Sequence, residues 1–163
     1  MTRDIGHLMP QNPQVRCLLI TGDAVGGIRL HVHAIVHALL SRGMSVAYAC
    51  SHTADTRGED EILRFMAQGV PVHRMAVKKL PHWSDLNNLL KLRRFALEQG
   101  VNMVHGHGAK GGLYARALGR LLGVPVVYTP HGGVVHATFN AWATRLYAAV
   151  ERKLIANTRV YLF

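Results

Sequence analysis

The chain has 163 residues, enough for one domain with a buried core. Nearly half of the residues are apolar, which excludes a disordered chain. A formal net charge of +10 either serves solubility alone or favours an anionic partner: nucleotide, phosphorylated lipid, acidic glycan, membrane surface or nucleic acid.

Residues 1–14 are polar, hold two prolines and lack the apolar centre of a signal peptide, so they read as a loose lead-in. Val15–Thr21 (VRCLLIT) is a short apolar run bounded by charge and glycine, a buried strand. Gly22–Gly27 reads as a loop. A helix follows from about Ile28 to Ser41, with Ile28, Val32, Ile35, Val36 and Leu39 on one face and Arg42-Gly43 as its stop. Ser45–Cys50 is the second strand. Glu59–Gln68 is a short helix with acids in its first turn and Gly69 behind it. Val70–Val77 is a third strand, weakened by Pro71. Ser84 is placed to N-cap a helix from about Asp85 to Gln99, ended by Gly100. Val101–His105 is the fourth strand, HGAKGG a loop, and Leu113–Leu122 a helix stopped by Gly123. Val124–Thr129 is the fifth strand. A loop from Pro130 to Thr138, a long helix from about Phe139 to Ala156 and a strand beginning at Val160 complete the chain.

Strands alternating with helices through short glycine-marked turns predict an α/β fold, a Rossmann-like parallel sheet with helices on both faces. In such a sheet ligands bind beyond the carboxyl ends of the strands. Three of the loops predicted there are rich in glycine and histidine: GDAVGG, HGHGAKGG and TPHGGVVHATF. Gly26 and Gly27 precede a helix whose free N–H groups favour an anion, although the spacing is neither GxGxxG nor GxxxxGK[ST] and also suits a plain turn. Lys110, beside the start of another helix, has the charge to meet an anion. His105 and His107 fit three roles: facing a ligand, structural hydrogen bonding, or metal ligation. They point the same way only if the strand extends to His107, and no carboxylate accompanies them. His131 stands on a turn softened by Gly132 and Gly133, close to where a ligand would pass.

His33 and His37 are four apart, but HAIVH lacks the glutamate of HExxH. With His31 and Arg29 they read as a solvated polar face. Arg116 with Arg120, and Arg152 and Lys153 with Arg145, form basic stripes that suit water or anionic lipid. Aromatic residues do not interleave with the basic ones, so no nucleic-acid partner is expected. Cys17 and Cys50 lie in apolar runs without zinc or CxxC spacing, as reduced thiols of a cytosolic protein would. No apolar run reaches membrane-spanning length.

Three segments in order, VGGIRLHVHAIVHALLSRGMSV, MVHGHGAKGGLYARALGRLLGVPVVYTPHGG and VERKLIANTRVYLF, resemble the amino-terminal domain of family-four, GT-B-type retaining glycosyltransferases, chiefly those of bacterial polysaccharide and lipopolysaccharide assembly. The resemblance spans residues 15–163. It implies one half of a GT-B fold, the acceptor-binding one, facing a carboxy-terminal donor domain that this chain lacks, fused or separate. It also implies transfer of a sugar from a nucleotide-sugar to a glycan or lipid-linked acceptor, with retention. Gly26 and Gly27 match the glycine pair that meets the donor diphosphate. His131 matches the catalytic-site histidine beside the transferred sugar. His105, His107, Lys110 and Gly111 match an HxHxxKxG loop on the acceptor side, and Gly132 follows the matched histidine as a substrate-side residue. No cofactor or metal is implied, because helix dipoles and basic residues stabilise the leaving diphosphate. The chain departs from the family at Asn102, where an aspartate is common, which bears on packing. It also departs in having no two glutamates eight positions apart, the pair that grips the donor. The chain by itself is therefore expected to be inactive, at the inner face of the cytoplasmic membrane or in the cytosol. The alternative from another class is a stand-alone basic module that binds anionic glycolipid or membrane surface without chemistry. A histidine-rich metal hydrolase is a third reading.

Overall fold

A computed structural model describes residues 14–22, 26–52, 56–78, 82–131, 145, 152 and 158–162. The elements in order are β1 (Arg16–Thr21), α1 (Gly26–Leu40), β2 (Ser45–Ser51), α2 (Thr56–Ala67), β3 (Val72–Met75), α3 (Ser84–Glu98), β4 (Met103–His107), α4 (Gly108–Leu122), β5 (Val126–Thr129) and β6 (Val160–Tyr161). The strands form one sheet in the order β3-β2-β1-β4-β5-β6, and every pair is parallel. This is the Rossmann-like architecture expected from the alternation. The long helix predicted at 139–156 falls almost wholly outside the described residues.

Burial on both faces explains why the strands are apolar throughout rather than alternating. On one face Leu18, Ile20, Ala47, Ala49, Val104 and Val126 pack with Leu92 and Ala96 of α3 and with Tyr114, Ala115 and Leu118 of α4. On the other, Cys17, Leu19, Val46, Tyr48 and Cys50 pack with Val32 and Val36 of α1 and with Ile62 and Phe65 of α2. Each such leucine or valine contributes roughly 1.5–3 kcal/mol by leaving water. Cys17 and Cys50 are buried and free, and burial pushes their thiols up to about 12 and about 11, so neither is a ready nucleophile.

Local signals place the helix ends. Arg42 Nη1 donates to Ala38 O at 2.8 Å, the positive last turn read from the sequence. Gly123 sits at φ 69, where its N–H closes α4 by donating to Gly119 O. Asn102 belongs to packing. Its Oδ1 accepts from the Arg16 N–H at 2.8 Å and its Nδ2 donates to Gln14 O at 3.0 Å, clasping β1 to β4 at the sheet edge remote from the glycine-rich loops.

Several boundaries differ from the sequence reading, each for a local reason. β3 keeps only Val72–Met75, after Pro71. Ser84 is the first residue of α3 and not its N-cap. Trp83 takes the capping position in helical conformation, and the Asp85 carboxylate accepts the His82 N–H at 2.9 Å instead. β4 extends through Gly106 to His107, and α4 begins at once at Gly108, so HGHGAKGG is a strand end and a helix start with no loop. Gly106 is in the ladder because α4 lies against it: a Cβ there would sit 2.6 Å from Ala115 Cβ and from Gly111 O.

Candidate functional site

The sheet order reverses between β1 and β4, and the carboxyl ends of β1, β4 and β5 form the crevice where open α/β sheets bind ligands. Register sets their last residues abreast: Thr21 pairs with His107, and His107 with Thr129. His131 follows two residues later. The first turn of α1 borders the same edge.

Gly26 and Gly27 form that first turn rather than a loop before it. Both are exposed, and a Cβ added at either would meet no heavy atom of the described residues within 4 Å. Gly26 has φ +54, a conformation that side chains resist. The first turn holds no acidic residue, and a helix start leaves its first N–H groups without intrahelical partners at the positive end of the helix.

α4 meets the sheet so closely that its glycines are packing residues. A Cβ on Gly111 would strike Ile20 O, and one on Gly112 the Tyr128 ring. Gly111, matched to the acceptor side by sequence, is thus pressed against β1. Lys110 is 7 % exposed and is held by Asp85 of α3, Nζ to Oδ2, at 2.6 Å. Tyr114 OH donates to the other oxygen of Asp85 at 2.5 Å, and Asn88 Nδ2 donates to Tyr114 OH at 3.0 Å. Burial raises the Asp85 pKa, but the bonds from Lys110, Tyr114 and His82 outweigh it and hold the carboxyl below its ordinary range. Lys110 is therefore already neutralised. Asp85 was missed in the sequence because its partners are 25 and 29 residues away.

The histidines divide. β4 runs as far as His107, so His105 and His107 do point the same way, with ring centroids 4.1 Å apart. His105 is buried and shares a 2.8 Å hydrogen bond with Thr129 Oγ1, a structural role. His107 is 1 % exposed, and its Nδ1 lies 3.1 Å from His131 Nε2. His131 is half-buried and is a non-glycine residue at φ 53, a conformation costing roughly 1–2 kcal/mol. His31 of α1 completes the group, edge-on to His131 at 4.9 Å and to His107 at 5.6 Å. Burial, reinforced by the neighbouring imidazoles, lowers His105 to about 4 and His107 to about 2. Burial and His31 lower His131. At neutral pH these three rings are neutral acceptors and single donors. Gly132, predicted beside them, lies outside the described residues.

The polar stripe of α1 is solvated only in part: His37 is exposed, whereas Arg29, His31 and His33 are partly covered. Arg29 Nη1 pairs with Glu61 of α2 at 2.6 Å, and His33 packs on Phe65 at 5.6 Å. His31 turns into the site instead, because helical periodicity sets it on a different side from His33. Arg116 is no surface charge either: it is fully buried, its Nε donates to Gly112 O at 2.9 Å, and its guanidinium lies 4.3 Å from the centre of the Tyr128 ring. Among the described residues, no helix is long and apolar enough to cross a membrane.

Residues 26–162 match the family model described as a glycosyl transferase 4-like domain. No curated protein sequence matches the chain. Among solved structures it resembles MurG of Acinetobacter baumannii, with TM-score 0.62, 16 % identity and coverage of 90 % of this chain and 40 % of that one. It also resembles S. aureus MnaA with UDP, with TM-score 0.66, 8 % identity and coverage of 91 % and 39 %. HepE of Anabaena in complex with UDP gives TM-score 0.59, 15 % identity and coverage of 85 % and 35 %. At these identities the likeness is one of fold. The chain spans about two fifths of the length of these proteins.

Proposed function

The chain belongs to the family of glycosyl transferase 4-like domains, and on that premise we propose that it is the acceptor-binding half of a retaining glycosyltransferase. In this reading a nucleotide-sugar donates to a glycan or lipid-linked acceptor of bacterial surface polysaccharide assembly. The observation that carries it is the exposed glycine first turn of α1, Gly26 and Gly27, at the same sheet edge as His131. S. aureus MnaA and Anabaena HepE are seen in complex with UDP, which supports a nucleoside diphosphate as the ligand class.

Each group then has a role. The α1 N–H groups meet the diphosphate as it leaves and stabilise the charge that develops on it, without a metal. His131, neutral at pH 7, exchanges a hydrogen bond with a hydroxyl of the transferred sugar. His107 holds the His131 ring through the 3.1 Å contact and positions it. Efficient transfer needs the donor gripped from the opposite wall of the cleft, so the active unit includes a donor-binding half, fused or separate. It acts in the cytoplasm, at the inner membrane face where a lipid-linked acceptor is held.

The test is transfer of radiolabelled sugar from a panel of nucleotide-sugars to lipid-linked acceptors, with and without a donor-binding half. Transfer by the pair, negligible transfer by the chain alone and a loss of at least a hundredfold in His131→Ala are expected. No transfer by the pair from any donor would overturn the reading.

A further inference from the structure

We propose that His31, His107 and His131 together form a site for a zinc-type divalent ion, with three imidazole ligands and a fourth position open. The three residues come from α1, the end of β4 and the turn after β5, so the fold and not a local motif assembles them. One ring nitrogen from each lies within 4.8 Å of the others. Nitrogens so arranged share a central point within about 2.8 Å of each, against zinc–nitrogen bonds of about 2.0–2.1 Å, so side-chain rotations of under about 1 Å close the site. Two of the nitrogens need almost no movement: His107 Nδ1 and His131 Nε2 are 3.1 Å apart, and two nitrogens on one tetrahedral zinc are roughly 3.3 Å apart.

The donor set selects the metal. Three imidazoles, joined by no carboxylate among the described residues, suit zinc, cobalt, nickel or copper and not magnesium or calcium. In the 3.1 Å contact the two rings share a proton; an ion takes both lone pairs and sends that proton to the far nitrogen of the same ring. For His107 that far nitrogen is Nε2, which is buried with no hydrogen-bond partner among the described residues. A ligating histidine normally donates there, and lack of such a partner weakens binding by about 10–100-fold. The site should therefore bind at about micromolar rather than nanomolar strength. An ion on His131 Nε2 takes the place of the His107 contact and leaves Nδ1–H as the donor for a sugar hydroxyl.

The experiment titrates the chelator-stripped 163-residue chain with cobalt(II), read by visible absorption, then displaces cobalt with zinc. One four-coordinate cobalt per chain is expected, displaced by zinc and unaffected by magnesium. His31→Ala, at a half-buried position, should weaken binding at least tenfold. The double variant His33→Ala/His37→Ala should leave binding unchanged, although these rings also approach to 3.2 Å. Zinc should raise the melting temperature of the unmodified chain and of the double variant, and not that of His31→Ala. No saturable binding, or binding that survives His31→Ala and vanishes in the double variant, would overturn the proposal.

Discussion

Asp85→Asn removes one charge from the Lys110–Asp85–Tyr114 group while keeping its shape. Lys110, 7 % exposed, is then left as an ammonium without its counter-charge. Stranding one partner of a buried pair costs about 3–5 kcal/mol. The Asp85 side chain is 16 % exposed, so water reaches part of it and trims that cost. A loss of about 2–4 kcal/mol follows, which for a domain of this size lowers the melting temperature by roughly 5–12 °C. Lys110→Met leaves a carboxylate that still accepts from Tyr114 OH and the His82 N–H, and should cost only about 1–2 kcal/mol. In the double variant the stranded charge is gone, so its stability should return close to that of Lys110→Met. Urea unfolding of the four proteins at neutral pH measures the cycle. A cost below about 1 kcal/mol for Asp85→Asn, or two single effects that simply add, would refute the claim that the pair is buried and mutually dependent.

Three further outcomes are expected. His105 titrates at about 4 in the fold because of burial, with the charges of His31 and His131 adding, against roughly 6.5 unfolded. The unfolded chain therefore binds more protons between those values, and stability falls as pH falls through that window, by up to about 1.4 kcal/mol per unit from this residue; urea unfolding at several pH values should show a shallower slope in His105→Asn. Gly27→Ala should be neutral or stabilise by up to about 1 kcal/mol while weakening UDP binding by calorimetry, whereas Gly112→Ala should destabilise by about 1–3 kcal/mol because its Cβ enters the Tyr128 ring. Thermal melts of His131→Gly and His131→Ala should favour the glycine by about 1 kcal/mol, since only glycine relieves φ 53; equal stability would show that the turn relaxes instead.

The order of elements was legible from local patterns. Val15–Thr21 and Ser45–Cys50 are apolar because both sheet faces are covered, and Gly43, Gly100 and Gly123 end helices wherever they appear. These signals act over a few residues, so the chain carries them without reference to its fold. Gly26, Gly27 and His131 likewise reached the correct sheet edge through topology alone. Glycine was ambiguous at β4 and α4: in HGHGAKGG it marks close packing of a helix on a sheet, not a loop, and no residue nearby announces that Tyr128 and Ile20 will occupy the space. Charge was equally opaque. Lys110, Arg116 and Arg29 look alike in sequence, yet Asp85, the Tyr128 ring and Glu61 claim them only after folding. His31 read as one of three helical histidines and became a member of the site because β4 and β5 deliver His107 and His131 to it. Local chemistry decided where strands, helices and stops fall. Which polar groups are spent on the protein, and which are left for a ligand, depended on partners tens of residues away, and only the tertiary structure brings those together.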